Sequence, residues 1–449
     1  MNLLDQIFEA GVVGCGGAGF PTHAKLKARV DYLLLNGAEC EPLLRTDRYL
    51  MCHKADEMIT AICAVKEQVE AEHCVIALKA SYTKEISALE AAIARQHAPV
   101  TLHKMESFYP AGDEQVIVCE VTGRVVPPAG IPLDVGCVVS NVATMVAVYD
   151  AMQGIPFTHK YLTVTGAVKN PTIMRVPVGT PINDCIALAG GADCTRYIIL
   201  SGGPMMGKPI TMEEAENETV TKTTSGLILL PEEGYAAVQH QIPLTHMLNR
   251  ARSACIQCSF CTQLCPRNLL GHPLEPHKIM RKLAMAGSLE QILEDEDIRG
   301  AQLCCECGIC ELYACPMQLQ PRRVNSLIKA KLAEQSVRYP KDTGTYIPHP
   351  NRNDRKIPTQ RAAVRAGVGQ WYHTEPKGFL EATPTTVSIP LRQHIGAPAQ
   401  PVVQVGDRVT VGQLIAACPE GKLGAQLHAP IDGRVVAVNN KIEIKGGQQ

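Results

Sequence analysis

The chain has 449 residues with 43 basic and 44 acidic side chains, a formal charge of −1, and so no electrostatic footprint for nucleic acid or an anionic membrane. Its length suits about three or four domains. Nineteen cysteines are many for a chain in a reducing compartment, and those scattered at apolar positions, such as Cys52, Cys63, Cys74, Cys119 and Cys185, are expected to be buried free thiols.

The chain opens with Met1-Asn2-Leu3-Leu4-Asp5, acidic early and without the apolar core of a signal peptide. Residues 1–10 suit a short amphipathic helix with Leu3, Leu4, Ile7 and Phe8 on one side. A glycine loop follows, with GxGxxG at Gly14, Gly16 and Gly19 and a further Gly17. The dinucleotide fingerprint requires a full strand before it and a helix after it. Here only Val12-Val13 precede the loop and Phe20-Pro21 interrupt it, yet its glycines still let backbone N–H groups approach a phosphate, with Lys25 a few residues on. Tyr32 to Leu35 reads as a buried strand running into Asn36-Gly37-Ala38-Glu39-Cys40-Glu41-Pro42, a polar cluster where α/β sheets place ligands. Tyr109-Pro110-Ala111-Gly112-Asp113-Glu114-Gln115 and Ser140-Asn141-Val142-Ala143-Thr144 are two further polar loops in the same alternating stretch. The longest apolar run, 135–152, contains Ser140, Asn141, Thr144 and Asp150 and falls short of a spanning helix. A soluble, cytoplasmic protein is expected, with any membrane link through a partner.

Residues 156–210 read as strand, turn, strand and helix, the helix over Ile182–Ala189 ending at Gly190-Gly191. This is the size of a soluble-ligand-binding β-grasp domain, expected here to pack without a ligand. Ser201 to Gly207 is expected to return towards the first domain, and 211–244 is a connector. Residues 245–335 are expected to be helical. Ile279 to Ala286 has helical spacing, Gly287 stops it, and Ser288 with Gln291 forms a capping box. Residues 336–380, rich in Pro, Arg and Asn and holding the only tryptophan, Trp371, read as a surface linker. Residues 381–449 are short strands with tight Gly/Asp turns, like a lipoyl- or biotin-type barrel-sandwich hybrid. No lysine stands in a carrier context at its hairpin turns, although Lys422 is nearby, so an unmodified docking domain is expected.

Two cysteine runs lie in the helical region. Cys255-x2-Cys258-x2-Cys261-x3-Cys265 precedes Pro266, and Cys304-x2-Cys307-x2-Cys310-x4-Cys315 precedes Pro316. Each nearly repeats the spacing that holds a [4Fe–4S] cluster in two-cluster ferredoxins, whose fourth cysteine serves the other cluster. Zinc sites favour two CxxC pairs instead. The pairing expected is Cys255, Cys258, Cys261 and Cys315 on one cluster, and Cys304, Cys307, Cys310 and Cys265 on the other. Cys305 competes with Cys304, which keeps the x2 spacing; the x4 gap before Cys315 is one residue longer than usual. No residue is singled out as catalytic.

The motifs GxGGAGFPT-xx-K, NGAECEP, YPxGxE and SNVAT resemble the flavin- and NADH-binding subunit of respiratory complex I and, still more, the C subunit of the Rnf electron-transport complex, which has two cluster runs. The resemblance implies a multidomain α/β chain with a Rossmann-like FMN domain over 1–155. It implies FMN on the glycine loop (Gly14, Gly16, Gly17, Gly19), with Lys25, Asn36, Glu39, Gly112, Asn141 and Thr144 around it. Nicotinamide would stack near Phe20, with Glu41 and Glu114 at the dinucleotide. Two departures concern these contacts: Cys15 stands where the complex I subunit has arginine, and Ala38 where it has an acidic residue. In the Rnf subunit the barrel is N-terminal, whereas here it is C-terminal. That order is similar to the cobalamin reductases of propanediol-utilisation microcompartments. It implies NADH as cosubstrate, cobalamin as the electron acceptor, a role in reactivating a B12-dependent diol dehydratase, and shell or B12-enzyme partners inside a microcompartment. Two rivals are a peripheral subunit of an Rnf-like membrane complex and a non-catalytic electron-wiring protein. No Asp-x-His-x-x-Gly corrinoid motif occurs, and His272, His277 and His349 are expected to be surface or capping residues.

Overall fold

The computed structural model describes residues 1–286 and 288–447. The first domain begins with α1 (Leu3–Glu9) and α2 (Thr22–Lys25), followed by β1 (Tyr32–Asn36), α3 (Thr46–His53), α4 (Ala55–Gln68), β2 (His73–Lys79), α5 (Thr83–Gln96), β3 (Thr101–Met105), β4 (Phe108–Tyr109), α6 (Glu114–Thr122), β5 (Cys137–Asn141) and α7 (Val142–Met152). Four strands make a parallel sheet in the order β3-β2-β1-β5. Its apolar strands are covered on both faces, as parallel sheets require. Leu33 and Leu35 point into a core with α1, α4, α5 and α7, while Leu34 points to the opposite core against α6. Helix α1 is capped by Asn2, whose side chain accepts from the Asp5 N–H, and buries Ile7 in the first of these cores.

The second domain is a mixed six-stranded sheet in which β12 (Phe379–Glu381) lies at the edge beside β7 (Thr172–Pro177), followed by β6 (His159–Gly166), β10 (Gly226–Pro231), β8 (Tyr197–Ser201) and β9 (Lys208–Ile210). Helix α8 (Ile182–Leu188) packs on one face. The expected connector therefore supplies a central strand. Leu227 to Leu230 are buried on both faces of β10, which the apolar run in the sequence explains.

The cysteine-rich region holds α9 (Tyr235–Gln241), α10 (Leu244–Ala254), α11 (Phe260–Gln263), α12 (Pro266–Leu269), α13 (Pro276–Met285), α14 (Glu296–Arg299) and α15 (Pro321–Glu334). The stop expected at Gly287 lies outside the described residues. Ser288 and Gln291 do exchange capping-box bonds, at 3.3 and 3.4 Å, but only the single turn Glu290–Ile292 follows.

The segment 336–380 is not a surface linker, and this corrects the expectation. Its β11 (Ile357–Pro358) pairs with β4, α16 (Thr359–Arg365) packs on the Ile309–Ala314 helix, and β12 (Phe379–Glu381) adds an edge to the second sheet. Ile357, Ala362, Ala363 and Val368 are buried in a core shared with Tyr109, Leu200, Ile228 and Leu312. Short apolar residues spaced among Pro and Arg leave this strap without a periodic signature. The C-terminal domain packs a four-stranded sheet containing β13 (Thr386–Pro390), β15 (Arg408–Val409), β18 (Gly433–Val438) and β19 (Lys441–Gly446) on a three-stranded one of β14 (Gln400–Pro401), β16 (Leu414–Ala417) and β17 (Leu427–His428). Among the described residues, no helix is long and apolar enough to cross a membrane.

Candidate functional site

A cavity of about 490 Å³ opens at the C-terminal ends of β1 and β5. The glycine loop forms one wall, closed by the Gly14 N–H donating to the Phe20 carbonyl at 3.0 Å and by a bridge between Val13 and Pro21. Gly17 has φ +70°, a backbone that glycine adopts without strain, and nothing stands within 4 Å of where its Cβ would be. The N-terminus of α7 forms the floor. Asn141 caps it by accepting from the Ala143 N–H at 2.8 Å, and Thr144 Oγ1 accepts from the Cys15 N–H at 3.0 Å, tying the loop to the helix. The first turn of α7 carries no acidic residue. Lys25 and Glu114 meet at 2.6 Å inside the cavity. Glycine backbone, helix N-terminus and lysine are the elements from which nucleotide-phosphate sites are built.

On the other side, Asn36 donates to the Gly112 carbonyl at 2.9 Å and accepts from the Ala38 N–H at 3.0 Å. A Cβ on Gly112 would sit 2.8 Å from the Cys40 Cβ, so the close approach demands glycine. Phe20 and Ile131, 40% and 52% exposed, give the mouth an apolar rim. Gly14, Gly16, Gly17, Gly19, Phe20, Lys25, Asn36, Gly112, Glu114, Asn141 and Thr144 all line this cavity.

Glu39 and Glu41 do not line it. Both Glu39 oxygens accept from the backbone at the start of α3, from the Asp47 N–H at 3.0 Å and the Arg48 N–H at 3.1 Å. Burial, then the nearby Asp47, pushes its carboxyl up to about 7. Glu41 turns towards the 201–207 loop, where its Oε2 accepts from the Met205 N–H at 2.8 Å, and burial also pushes it up to about 7. The sequence puts both glutamates in one polar loop, and local spacing gives no sign that they turn away from the cavity. Asp47, which sequence reasoning does not single out, accepts from Asn141 Nδ2 at 2.7 Å and so steadies the cap.

The cysteines ring two further cavities. Cys255, Cys258, Cys261 and Cys315 line one; Cys265, Cys304, Cys305, Cys307 and Cys310 line the other. Among the described residues, no three His, Cys, Asp or Glu side chains converge closely enough to hold a single metal ion. Thiols standing around a volume suit a multi-iron cluster, whose ligands sit further apart than those of one ion. The two runs share one backbone. Gln257 and Ser259 have φ +57° and +62°, and Glu306 and Gly308 have +58° and +79°. This register matches Cys304, not Cys305, with Cys255. The extra residue before Cys315 is absorbed by a π-helix over Ile309–Ala314, where the first run has the α-helix α11. Sulfurs accept hydrogen bonds from Gln257 Nε2 (Cys255, 3.1 Å), the Glu306 N–H (Cys304, 3.4 Å) and the Leu319 N–H (Cys315, 3.3 Å).

Two contacts run between residues next to the nucleotide-sized cavity and residues at the second cysteine cavity. Asp113, beside the cavity-lining Gly112 and Glu114, caps α6 and is forked by Arg267, two residues from Cys265. The Tyr109 hydroxyl donates to the Cys307 carbonyl at 2.7 Å. Among the histidines, His272 is buried at 2% exposure with Nε2 2.7 Å from the Val126 carbonyl, which corrects its expected surface place. His277 lines the first cysteine cavity, and His349 Nδ1 accepts from the Asn351 N–H in a turn.

Family comparisons divide the chain along these lines. Residues 7–150 match the Nuo51 FMN-binding domain, 161–209 the SLBB domain, 254–320 a 4Fe-4S dicluster domain and 379–449 the RnfC barrel sandwich hybrid domain. The chain is 40% identical to the cobalamin reductase PduS of Salmonella typhimurium over 442 residues, covering 98% of this chain and 95% of that one. It is 40% identical to cobalamin reductase PduS of Citrobacter freundii over 443 residues, with the same coverage. The C subunit of the Na(+)-translocating ferredoxin:NAD(+) oxidoreductase complex of Acetobacterium woodii is 34% identical, covering 59% of this chain and 57% of that protein.

Proposed function

The chain belongs to the family of the PduS cobalamin reductases, a flavin and iron–sulfur oxidoreductase family, and from that premise we propose that it passes electrons from NADH, through FMN and two [4Fe–4S] clusters, to cobalamin. The corrinoid would thereby be recycled for a diol dehydratase, with shell or B12-enzyme proteins of a microcompartment as partners. The observation that supports this reading is that residues flanking the nucleotide-sized cavity are bonded to residues at a cysteine-ringed one, Asp113, between Gly112 and Glu114, to Arg267, and Tyr109 to the Cys307 carbonyl.

Flavin, when bound, exchanges electrons in pairs with nicotinamide and singly with a cluster. Gly16, Gly17, Lys25 and the N-terminus of α7 would hold its phosphate, and Asn36, Asn141 and Thr144 the rest of the nucleotide. Phe20 offers an aromatic face at the mouth for nicotinamide. The Cys265, Cys304, Cys307 and Cys310 site is the one tied to the flavin domain through Arg267–Asp113 and Cys307–Tyr109, so it would serve first. The Cys255, Cys258, Cys261 and Cys315 site follows. Its loop exposes Ile256 and Phe260, 61% and 47%, which suits delivery to an external acceptor. Hydrogen bonds to sulfur tune the potentials.

The test is anaerobic. NADH and hydroxocobalamin are added to the iron-reconstituted protein while the visible spectrum is followed. A cob(II)alamin band that is lost without FMN or in Cys258→Ala supports the reading. Bleaching of flavin and clusters with no change in cobalamin points to an Rnf-like subunit, and no bleaching at all leaves an electron-wiring protein.

A further inference from the structure

The C-terminal barrel does not stand apart from the nucleotide cavity. Lys222, in the segment leading to β10, is 1% exposed, and its Nζ donates to the Gly11 carbonyl at 2.7 Å and the Gln426 carbonyl at 2.8 Å. One buried amine thus joins the base of the glycine loop to the barrel. Its backbone N–H donates to Gln393 Oε1 at 2.9 Å, the Phe157 ring centroid lies 5.5 Å from its Nζ, and Cys15, His394 and His428 are its titratable neighbours. No carboxylate pairs with it among the described residues, and burial lowers its pKa to about 7. A lone buried lysine held by backbone carbonyls is costly, and such a group persists where geometry requires it.

The approach at this joint is closer than side chains allow. A Cβ on Gly11 would lie 2.2 Å from the Gln426 carbonyl oxygen. At the tip of the loop, a Cβ on Gly19 would lie 2.6 Å from Thr223 Cγ2 and 3.0 Å from the His394 Cβ. The Ile395 N–H donates to the Ala18 carbonyl at 3.1 Å. Base and tip of the glycine loop are therefore gripped together by residues 222–223 and 393–395.

We propose that the barrel buttresses the glycine loop from behind the nucleotide site, and that Lys222 is a positioning residue which, with the Ile395 N–H, holds the glycine loop in its phosphate-receiving conformation. This rests on reading the cavity as a flavin site. It assigns the barrel a fixed role in cofactor retention instead of that of a swinging carrier or a docking module.

The experiment uses the full chain with its clusters reconstituted, in Lys222→Met and Ile395→Pro variants. Amide hydrogen exchange across residues 14–20 is measured without flavin, and affinities for FMN and riboflavin are measured beside it. Both variants are expected to exchange at least tenfold faster in the loop. They should bind FMN at least tenfold more weakly but riboflavin, which lacks the phosphate, nearly as well as the parent. Iron content and cluster spectra report whether each variant has folded, and Ile395→Pro decides the matter if Lys222→Met has not. Unchanged loop exchange and FMN affinity in a folded variant overturns the proposal, as does equal loss of FMN and riboflavin. Faster loop exchange in a protein whose parent binds no FMN upholds the joint and sinks the flavin reading instead.

Discussion

Arg267 grips Asp113 through both arms of its guanidinium, Nη1 to Oδ1 at 2.7 Å and Nη2 to Oδ2 at 2.9 Å, across the boundary between the cavity domain and the cysteine-rich domain. Both side chains are largely buried, 10% and 14% exposed. Removing one partner strands a buried charge, so Arg267→Ala is expected to cost about 3 kcal/mol. Asp113→Ala loses the α6 cap as well, about 1 kcal/mol. Urea unfolding of both single variants and the double variant checks this. The double variant should lose much less than the sum, and strict additivity would refute the coupling.

The left-handed residues of the two runs put Cys304, not Cys305, in register with Cys255, so Cys304 is the ligand proposed. Cys305→Ser should keep full iron content and an unchanged cluster spectrum, while Cys304→Ser should lose about half of the bound iron if each site holds one cluster. Iron analysis with EPR of the dithionite-reduced protein reads the difference. The reverse pattern would place Cys305 on the cluster.

Glu41 predicts a pH-dependent stability. The Tyr109 proton goes to the Cys307 carbonyl, leaving the hydroxyl oxygen 3.4 Å from Glu41 Oε1 as a neighbour for a protonated carboxyl. Because burial raises the folded pKa to about 7, the favourable contribution is fully present below the unfolded value of about 4.3 and is lost as pH rises through about 7. Glu41→Gln imitates the protonated form. It is expected to match the parent only below about pH 4 and to be the more stable of the two by about 1 kcal/mol at pH 5 and about 3 kcal/mol at pH 8. Glu39 and Asp47, also raised, leave part of the slope in place. Identical pH slopes for variant and parent in urea titrations would show that Glu41 is ionised in the folded protein.

Lys25 is the cavity's lysine and is paired with Glu114. A charge-assisted contact to phosphate is worth roughly 1.5–3 kcal/mol, so Lys25→Met should weaken FMN binding by about 10- to 100-fold. Glu114→Gln, which frees the amine, should leave FMN binding intact or tighter. Fluorescence titration of the flavin-free protein measures both, and undiminished binding by Lys25→Met would remove it from the phosphate site.

The parts of the site that are legible in the sequence are those built from near neighbours. The cysteine runs and the glycine loop each depend on spacing within a dozen residues, and spacing of that kind dictates backbone geometry directly. The four polar loops of the first domain converge because parallel strands put their C-terminal ends on one edge. The two glutamates of the Asn36–Pro42 loop are beyond the same reasoning. Glu39 has a left-handed φ of +33°, and it faces the α3 N-terminus while Glu41 faces Met205. Their direction is set by what packs opposite them, which no local pattern records.

Residue order and spacing dictate the glycine loop, the two cysteine runs and the cysteines that face each other. How the domains that carry them are joined emerges only when the chain is folded. Lys222 reaches Gly11 and Gln426 across 211 and 204 residues of chain, Arg267 reaches Asp113 across 154, and the 336–380 strap enters a core shared by the first, second and cysteine-rich domains. Contacts of that span are selected by burial and hydrogen-bond satisfaction in the assembled molecule. Periodicity and motif spacing encode only what lies within one element or one loop.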